Sequence, residues 1–184
     1  MAFPGIRGSL QMMPRSSSLA GYFGKLRGAR GFVGAALPAG FVDRWDNWYL
    51  AAARVTPPPP IAHDEPAWRF TAAAGLFGPA AAAGVWRHSQ DRDGQRYPFV
   101  IATLGQDLAS DDPWFDAAEA LLTASVAGEV LLTELASRIA LLPAPDTARP
   151  LAAAMLMWRD DWEVHELSFA TGREFAAYGL PGAV

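Results

Sequence analysis

The stretch that decides the fold is "AAGVWRHSQDRDGQRYPFVIATL", residues 82–104. Two runs rich in apolar side chains, at 82–88 and 97–104, lie on either side of a charged cluster that contains one Asp-Gly pair. Asp-Gly between two such runs is typical of a turn, because Asp and especially Gly tolerate the backbone conformation that a hairpin needs. The stretch therefore predicts two neighbouring strands joined by a charged turn.

Further strand candidates lie on both sides of this hairpin. One is "AGYFGKL" at residues 20–26, and another lies near residues 68–74. A final hairpin is predicted from "LAAAMLMW" at 151–158 and "WEVHELSF" at 162–169. The glycine-punctuated segment "RGARG", at 27–31, predicts a loop after the first strand.

Helical periodicity begins after Pro38. Phe41, Trp45, Trp48 and Ala52 recur at helical spacing, which predicts an amphipathic helix with an aromatic face. These aromatic side chains are our first candidates for the core.

A second helical segment covers residues 110–142. We expect one helix on the order of 40 Å long, with Asp112 as its N-cap and Pro113 at its first position. A short helix is predicted around Glu174–Tyr178. The apolar stripe of the long helix is Leu121, Ala124, Gly128, Leu131, Leu135, Ile139 and Leu142.

The order of these elements favours an α+β fold. We expect a single layered domain at residues 20–184, with a central, mostly antiparallel or mixed sheet of about five to six strands covered by helices. We expect residues 1–19 to form a flexible N-terminal extension, because Pro, Gly and Ser interrupt every apolar pair.

The composition excludes several classes of function. The net charge is −4 and like charges form no block, which argues against nucleic-acid binding and against a basic membrane anchor. Cysteine is absent, so disulfides, thiolate catalysis and cysteine-ligated metal sites are excluded. No apolar stretch is long enough for a membrane span or a signal peptide. We therefore expect a soluble cytoplasmic protein.

Two segments resemble ligand-binding loops only in part. "SQDRDG", at 89–94, is similar to the start of an EF-hand calcium loop, but Ser89 stands at the first ligand position and Val100 at the position of the bidentate Glu. In "GKLRGARG", at 24–31, Lys25 precedes Leu26, whereas a P-loop requires Ser or Thr there. A hairpin turn and a solvated loop are the simpler interpretations, so we expect no metal and no cofactor.

Other chemical groups give no complete site. His63, His88 and His165 are far apart, and the adjacent His88 and Ser89 would point to opposite faces of a strand. Near the last hairpin lie four acidic residues that could act as acid and base or bind magnesium, although such a group is more often a solvated turn. They are Asp160, Asp161, Glu163 and Glu166.

Two long segments resemble the TagF (ImpM) family, which is associated with bacterial type VI secretion. They are "GYFGKLRGARGFVGAALPAGFVDRWDNWYLAA" at 21–52 and "PAWRFTAAAGLFGPAAAAGVWRHSQDRDGQRYPFVIAT" at 66–103. The family motifs are approximately F/Y-G-K-L-P-x-x-G-D-F-V, W-D-x-W and S-x-D-x-x-G-R-x-F/Y-P-L. The residues that match them are Gly24, Lys25, Leu26, Ser89, Asp91, Arg92, Gly94 and Pro98.

Three positions depart from these motifs. The Pro of the first motif is Arg27, and its Gly-Asp pair falls on Arg30 and Gly31. The Arg that follows glycine in the third motif is Gln95, with Arg96 as the candidate replacement. Arg30 and Arg96 join the matching residues as candidate partner-binding positions.

The resemblance implies regulation without catalysis. TagF-like proteins repress type VI secretion after translation, and a forkhead-associated (FHA) domain scaffold is their implied partner. Two alternatives stay open at this point. One is a metal-dependent or small-molecule enzyme that uses Asp91, Arg92 and Asp93 or the acidic hairpin, and the other is a structural component of the secretion apparatus. The sequence leaves the oligomeric state open.

Overall fold

The computed structural model describes residues 19–55, 61, 65–105, 108–146, 155–159 and 165–167. The predicted extension at 1–19 lies outside the described residues except for Leu19. The predicted helix around 174–178 also lies outside them.

A single seven-stranded sheet organises the described part of the chain. All six pairings between neighbouring strands are antiparallel, in the order β2-β1-β5-β4-β3-β6-β7. The predicted α+β class is confirmed. In chain order the elements are β1 (Leu19–Lys25), β2 (Phe32–Ala35), α1 (Ala39–Val55), β3 (Trp68–Ala72), β4 (Ala82–Gln90), β5 (Arg96–Leu104), α2 (Pro113–Ala127), α3 (Leu132–Ala140), β6 (Met155–Trp158) and β7 (His165–Leu167).

The strand that the sequence did not predict is β2. It follows the predicted loop directly and pairs with β1 from Tyr22 opposite Ala35 to Lys25 opposite Phe32. Its four residues, "FVGA", include a glycine and show too little alternation to be recognised as a strand. Pairing with β1 supplies the hydrogen bonds that the local pattern does not indicate.

The central hairpin matches its prediction. β4 and β5 pair in register from Ala82 opposite Leu104 to Gln90 opposite Arg96, and residues 91–95 form the turn. Nearly every residue of both strands is buried, because helices cover both faces of the sheet. Successive side chains therefore alternate between two cores.

The first core lies between the sheet and α1. The predicted aromatic face is confirmed, since Phe41, Trp45, Trp48 and Ala52 are all buried. Trp45 packs edge-on against Trp86 of β4, with ring centroids 6.1 Å apart. Large aromatic side chains fill this core and fix the position of α1 on the sheet.

The second core lies on the opposite face, under α2 and α3. Phe115 and Leu122 of α2 pack there with Val85 of β4 and Ile101 of β5, and all four are fully buried. Arg69 of β3 joins the same helix to the sheet, donating from Nε to Glu119 Oε2 at 2.8 Å.

The single long helix predicted for residues 110–142 is wrong. Gly128 has φ 85°, in the left-handed region, and it ends α2. The Gly128 and Glu129 N–H groups donate to the Ser125 and Ala124 carbonyls at 3.1 and 2.9 Å. This pattern is a Schellman cap. Leu131, placed on the predicted stripe, is 63% exposed.

The other local predictions for this region hold. Asp112 caps α2, with Oδ1 accepting from the Trp114 N–H at 2.8 Å, and Pro113 is the first helical residue. The final hairpin is also confirmed, since β6 and β7 pair from Met155 opposite Leu167 to Met157 opposite His165. Among the described residues, no helix combines the length and the apolar character needed to cross a bilayer.

Candidate functional site

The sheet order brings the two groups of motif residues together. Both β1 and β4 pair antiparallel with β5, so they run in the same direction and end at the same edge of the sheet. The β1–β2 loop, residues 26–31, and the β4–β5 turn, residues 91–95, therefore lie side by side. We call these two segments, together with the flanking residues Phe32 and Arg96, the two-loop surface.

Asp91 organises the turn. Its Oδ1 accepts hydrogen bonds from the N–H groups of Asp93 at 3.0 Å and Gln95 at 2.8 Å. Its own N–H donates to the Gln95 carbonyl, and its carbonyl accepts from the Gly94 N–H. Gly94 has φ 79°, a conformation that glycine adopts without strain. These hydrogen bonds close the turn around the Asp91 carboxylate.

An ion pair joins this turn to β1. Lys25 Nζ lies 3.0 Å from Asp91 Oδ2, and the two side chains are only 12% and 3% exposed. Burial raises the pKa of the Asp91 carboxyl, but Lys25 and the amides of Gln95 and Asp93 more than offset this effect and hold that pKa below its usual value. Asp91 is therefore ionised at neutral pH with both carboxylate oxygens occupied.

Two further contacts connect the loops. The Arg92 N–H donates to the Ala29 carbonyl at 2.8 Å. Arg30 Nε lies 3.9 Å from Asp93 Oδ1 between two exposed side chains. A backbone hydrogen bond holds more firmly than an exposed ion pair, so the first contact fixes the relative position of the two loops.

Gly24 explains why β1 and β5 can approach so closely. Its φ is 139°, and a Cβ built on it would lie 2.1 Å from the Pro98 carbonyl oxygen. Any other residue would collide with the β5 backbone. Gly24 and Pro98, both predicted motif residues, therefore allow β1 and β5 to pack closely.

The predicted site residues divide into an inner and an outer group. Gly24, Leu26, Ser89, Asp91 and Pro98 are buried, and Lys25 is largely buried. Exposed at the surface are Arg30, Arg92, Gly94 and Arg96. The inner group holds the loops in place, and the outer group presents charge to the solvent.

Sequence reasoning missed two residues of this surface. Arg27 was noticed only as a departure from the motif, yet it is exposed on the same loop. Phe32 follows that loop and is 52% exposed. Its ring stacks on Phe23 with centroids 5.3 Å apart, and Lys25 Nζ lies 5.1 Å from its centroid. Phe32 lies beside Lys25 because β2 pairs with β1, and the sequence did not predict this pairing.

Titratable groups also lie in the core beneath α1. His88 Nδ1 is 2.6 Å from Glu65 Oε1, and the Tyr97 hydroxyl donates to Asp46 Oδ1 at 2.8 Å. Burial, with Glu65 as a second cause, raises the pKa of Tyr49 to about 12. Burial and the bond to Asp46 raise the pKa of Tyr97 above its usual value.

The described residues contain no group of three or more His, Asp or Glu side chains placed to hold a metal ion. Asp160, Asp161 and Glu163 of the predicted acidic group lie outside the described residues, and Glu166 lies in β7. His88 and Ser89 occupy adjacent positions of β4 and therefore lie on opposite faces of the sheet, as predicted.

The chain is similar to known proteins in both structure and sequence. A crystal structure of PA0076 from Pseudomonas aeruginosa PAO1 is similar, with a TM-score of 0.60 and 28% sequence identity, covering 86% of this chain and 75% of that chain. No curated protein matches the chain. A family model described as TagF N-terminal domain, type VI secretion system-associated, matches residues 21–142, which include both loops. The chain therefore belongs to the TagF N-terminal domain family.

Proposed function

We propose that this protein is a post-translational repressor of type VI secretion that acts in the cytoplasm by binding another protein, without catalysis of its own. The proposed partner is an FHA-domain scaffold, as the family resemblance implies. One observation carries the proposal: motif residues from two distant segments build a single surface whose inner charges neutralise each other and whose outer charges are exposed.

The two-loop surface has properties that suit an interface. Its loops are fixed by the Lys25–Asp91 pair and by the Arg92–Ala29 hydrogen bond. A preorganised surface loses little conformational entropy when it binds. Phe32 adds an exposed aromatic ring at its margin. Aromatic residues and arginine are enriched at protein interfaces.

The exposed charge of this surface predicts an acidic partner face. Arg27, Arg30, Arg92 and Arg96 are exposed, with Asp93 as the exposed acidic residue among them. The whole chain carries a net charge of −4, so this excess of arginine is local. Complementary charge would raise the association rate and fix the orientation of the partner.

The β4–β5 turn offers little support for the alternative that the protein is an enzyme. A general base or a metal ligand needs a carboxylate oxygen that can reach the substrate or the ion. Asp91 Oδ1 accepts two backbone hydrogen bonds and Oδ2 binds Lys25, and a lowered pKa makes this carboxylate a weak base. Arg92 and Asp93 are exposed instead of converging on a pocket.

Deletion of the gene tests the direction of the effect. For a repressor, we expect more type VI secretion in the deletion strain than in the parent, measured by the amount of secreted tube protein in the medium. Restoring the full chain should return secretion to the parental amount. Reduced secretion on deletion would contradict repression and favour a structural component of the apparatus.

A pull-down tests the surface. We expect Arg92→Ala combined with Arg96→Ala to reduce retention of the FHA-domain scaffold on the order of tenfold or more, the size of effect that truncating interface anchors produces. The matched control is Arg54→Ala combined with Arg138→Ala, which removes two exposed charges from α1 and α3. Equal retention by both folded double variants would remove the two-loop surface from the interface.

A further inference from the structure

β2 is an edge strand of the sheet. Within the described part of the chain, only β1 pairs with it. Every second residue of an edge strand directs its N–H and C=O groups away from the sheet, where another strand can bind them. β2 contains neither a charged residue nor proline, which commonly protect such an edge. Because β2 is only four residues long, an added strand would also need side-chain contacts to bind.

An open, apolar groove beside this edge offers such contacts. It has a volume of about 370 Å³ and lies between β2, the end of β1 and the start of α1. Its walls include Phe32 of β2, Leu37 of the following loop and Val42 of α1. Phe32 is 52% exposed, and the other two are partly buried, so all three can contact a bound molecule.

Gly34 keeps this groove open. It is two residues from Phe32 and therefore lies on the same face of β2. Phe23 is directly opposite Gly34 on β1, and a Cβ added to Gly34 would lie 3.3 Å from the Phe23 ring. Since glycine has no side chain, the space above Phe23 and beside Phe32 is free to accept an apolar side chain from an added strand.

Charge distinguishes the two ends of the groove region. Arg30 precedes β2 by two residues, and its side chain is 74% exposed. Asp43 of α1 is the charged residue among the described residues that line the groove. An acidic side chain is therefore favoured next to Arg30 and disfavoured inside the groove. This arrangement suits an extended segment with an apolar residue at its centre and an acidic residue at the end next to the β1–β2 loop.

We propose that β2 binds an extended segment of the partner protein as an eighth strand of the sheet, with an apolar side chain of that segment in the groove at Gly34. Such strand addition combines backbone hydrogen bonds, which give affinity, with a side-chain pocket, which gives specificity. Phe32 belongs both to the groove and to the two-loop surface, so the two form one continuous interface. The inference rests on the proposed function, because the segment is assigned to the FHA-domain scaffold.

Amide hydrogen exchange, resolved by residue, tests the strand pairing in the purified complex of the full chain with the FHA-domain scaffold. The β2 amides that point away from β1 should exchange about tenfold or more slowly in the complex than in the free chain, because they gain backbone hydrogen bonds. Binding of the scaffold itself is measured separately, by retention in a pull-down.

A substitution in the groove tests the side-chain contact. Gly34→Val fills the space above Phe23, and we expect it to reduce retention of the scaffold by about tenfold or more. The matched control is Gly40→Val. Gly40 does not line the groove and a Cβ added to it would meet no atom within 4 Å, so retention should stay at the parental value. The unfolding temperature of each variant shows whether it is folded, and amide exchange of the unmodified chain decides the question even if Gly34→Val does not fold.

The possible failures can be told apart. Retention of the unmodified chain with unchanged exchange in β2 would overturn the strand pairing and leave the proposed function intact. Parental retention by folded Gly34→Val would also overturn it. Absence of retention of the unmodified chain would contradict the proposed partner, and the pairing with it. Slow exchange in β2 of the chain alone, together with a dimeric mass in solution, would assign the edge to a second copy of this chain instead.

Discussion

Lys25 and Asp91 illustrate how buried motif residues can hold a surface loop in place. Both side chains are largely withdrawn from solvent and bound to each other. Removing one member of such a pair leaves a buried charge without compensation, which costs far more than losing an exposed ion pair. Their role is to fix the β4–β5 turn against β1, so that neighbouring arginines are presented in one arrangement.

We predict that Asp91→Asn lowers the stability of the protein at pH 7, because the amide cannot neutralise Lys25. The folded-state pKa of Asp91 is lowered, so its contribution is fully present above the unfolded value of about 3.9 and is lost as the pH falls through the folded value. Urea unfolding between pH 3 and 7 should therefore show parent and variant converging at the acid end. Asp93→Asn, at an exposed carboxyl of the same turn, serves as the control. Equal effects of both substitutions at pH 7 would contradict the ion pair's structural role.

The residues of the site were only partly predictable. The Asp-Gly turn and the motif positions could be recognised because their signals are local. The partners could not, since the Lys25–Asp91 pair forms only after β1 and β4 take places on either side of β5. Contacts of this kind are set by sheet order, which no local pattern specifies.

At the scale of elements, the close packing of β1 and β5 depends on one glycine. Gly24→Ala would place a methyl group against the Pro98 carbonyl, in a backbone conformation that alanine rarely adopts. We expect the free energy of unfolding to fall by about 2–4 kcal/mol, the range for overpacking combined with backbone strain. Denaturant unfolding monitored by tryptophan fluorescence measures the change.

The control for this prediction is Gly28→Ala. Gly28 lies in the adjacent loop and has no positive φ, and a Cβ added to it would meet no atom within 4 Å. Its substitution should change the unfolding free energy by less than about 0.5 kcal/mol. A Gly24→Ala variant as stable as Gly28→Ala would show that β1 can move away from β5 at little cost.

Helices and strands differed in how well the sequence predicted them. The face of α1 was correct because four aromatic and small residues share one helical period. The break between α2 and α3 was missed because apolar residues keep helical spacing across Gly128, and a single glycine costs a helix only about 1 kcal/mol. The left-handed cap at Gly128 and the packing of α3 on α2 and β1 outweigh that continuity.

At the scale of the whole molecule, one sheet carries a core on each face, one under α1 and the other under α2 and α3. The α1 side contains the buried Tyr49 and Tyr97. The Tyr97 hydroxyl donates to Asp46, and the charge of Glu65 opposes ionisation of Tyr49. A tyrosinate in this core would be desolvated and would face a negative charge. The folded state therefore disfavours ionisation of both tyrosines.

We predict that the protein loses stability as the pH rises above about 10, where tyrosine in the unfolded chain begins to ionise. The folded-state pKa of Tyr49 is raised to about 12, so its contribution is fully present below pH 10 and is lost between these two values. Thermal unfolding from pH 8 to 11 should show a falling Tm. Tyr49→Phe should make this decline shallower, and an identical slope in the variant would contradict the assignment.

The ion pair at the edge of the sheet has one more consequence. Lys25 is the sole lysine of the chain, and its ammonium group is held against Asp91. Acylating reagents react with an accessible amine, and this side chain is largely buried and paired, so the folded protein offers them no readily available ε-amino group. The acylation rate of Lys25 would therefore measure how often the β4–β5 turn separates from β1.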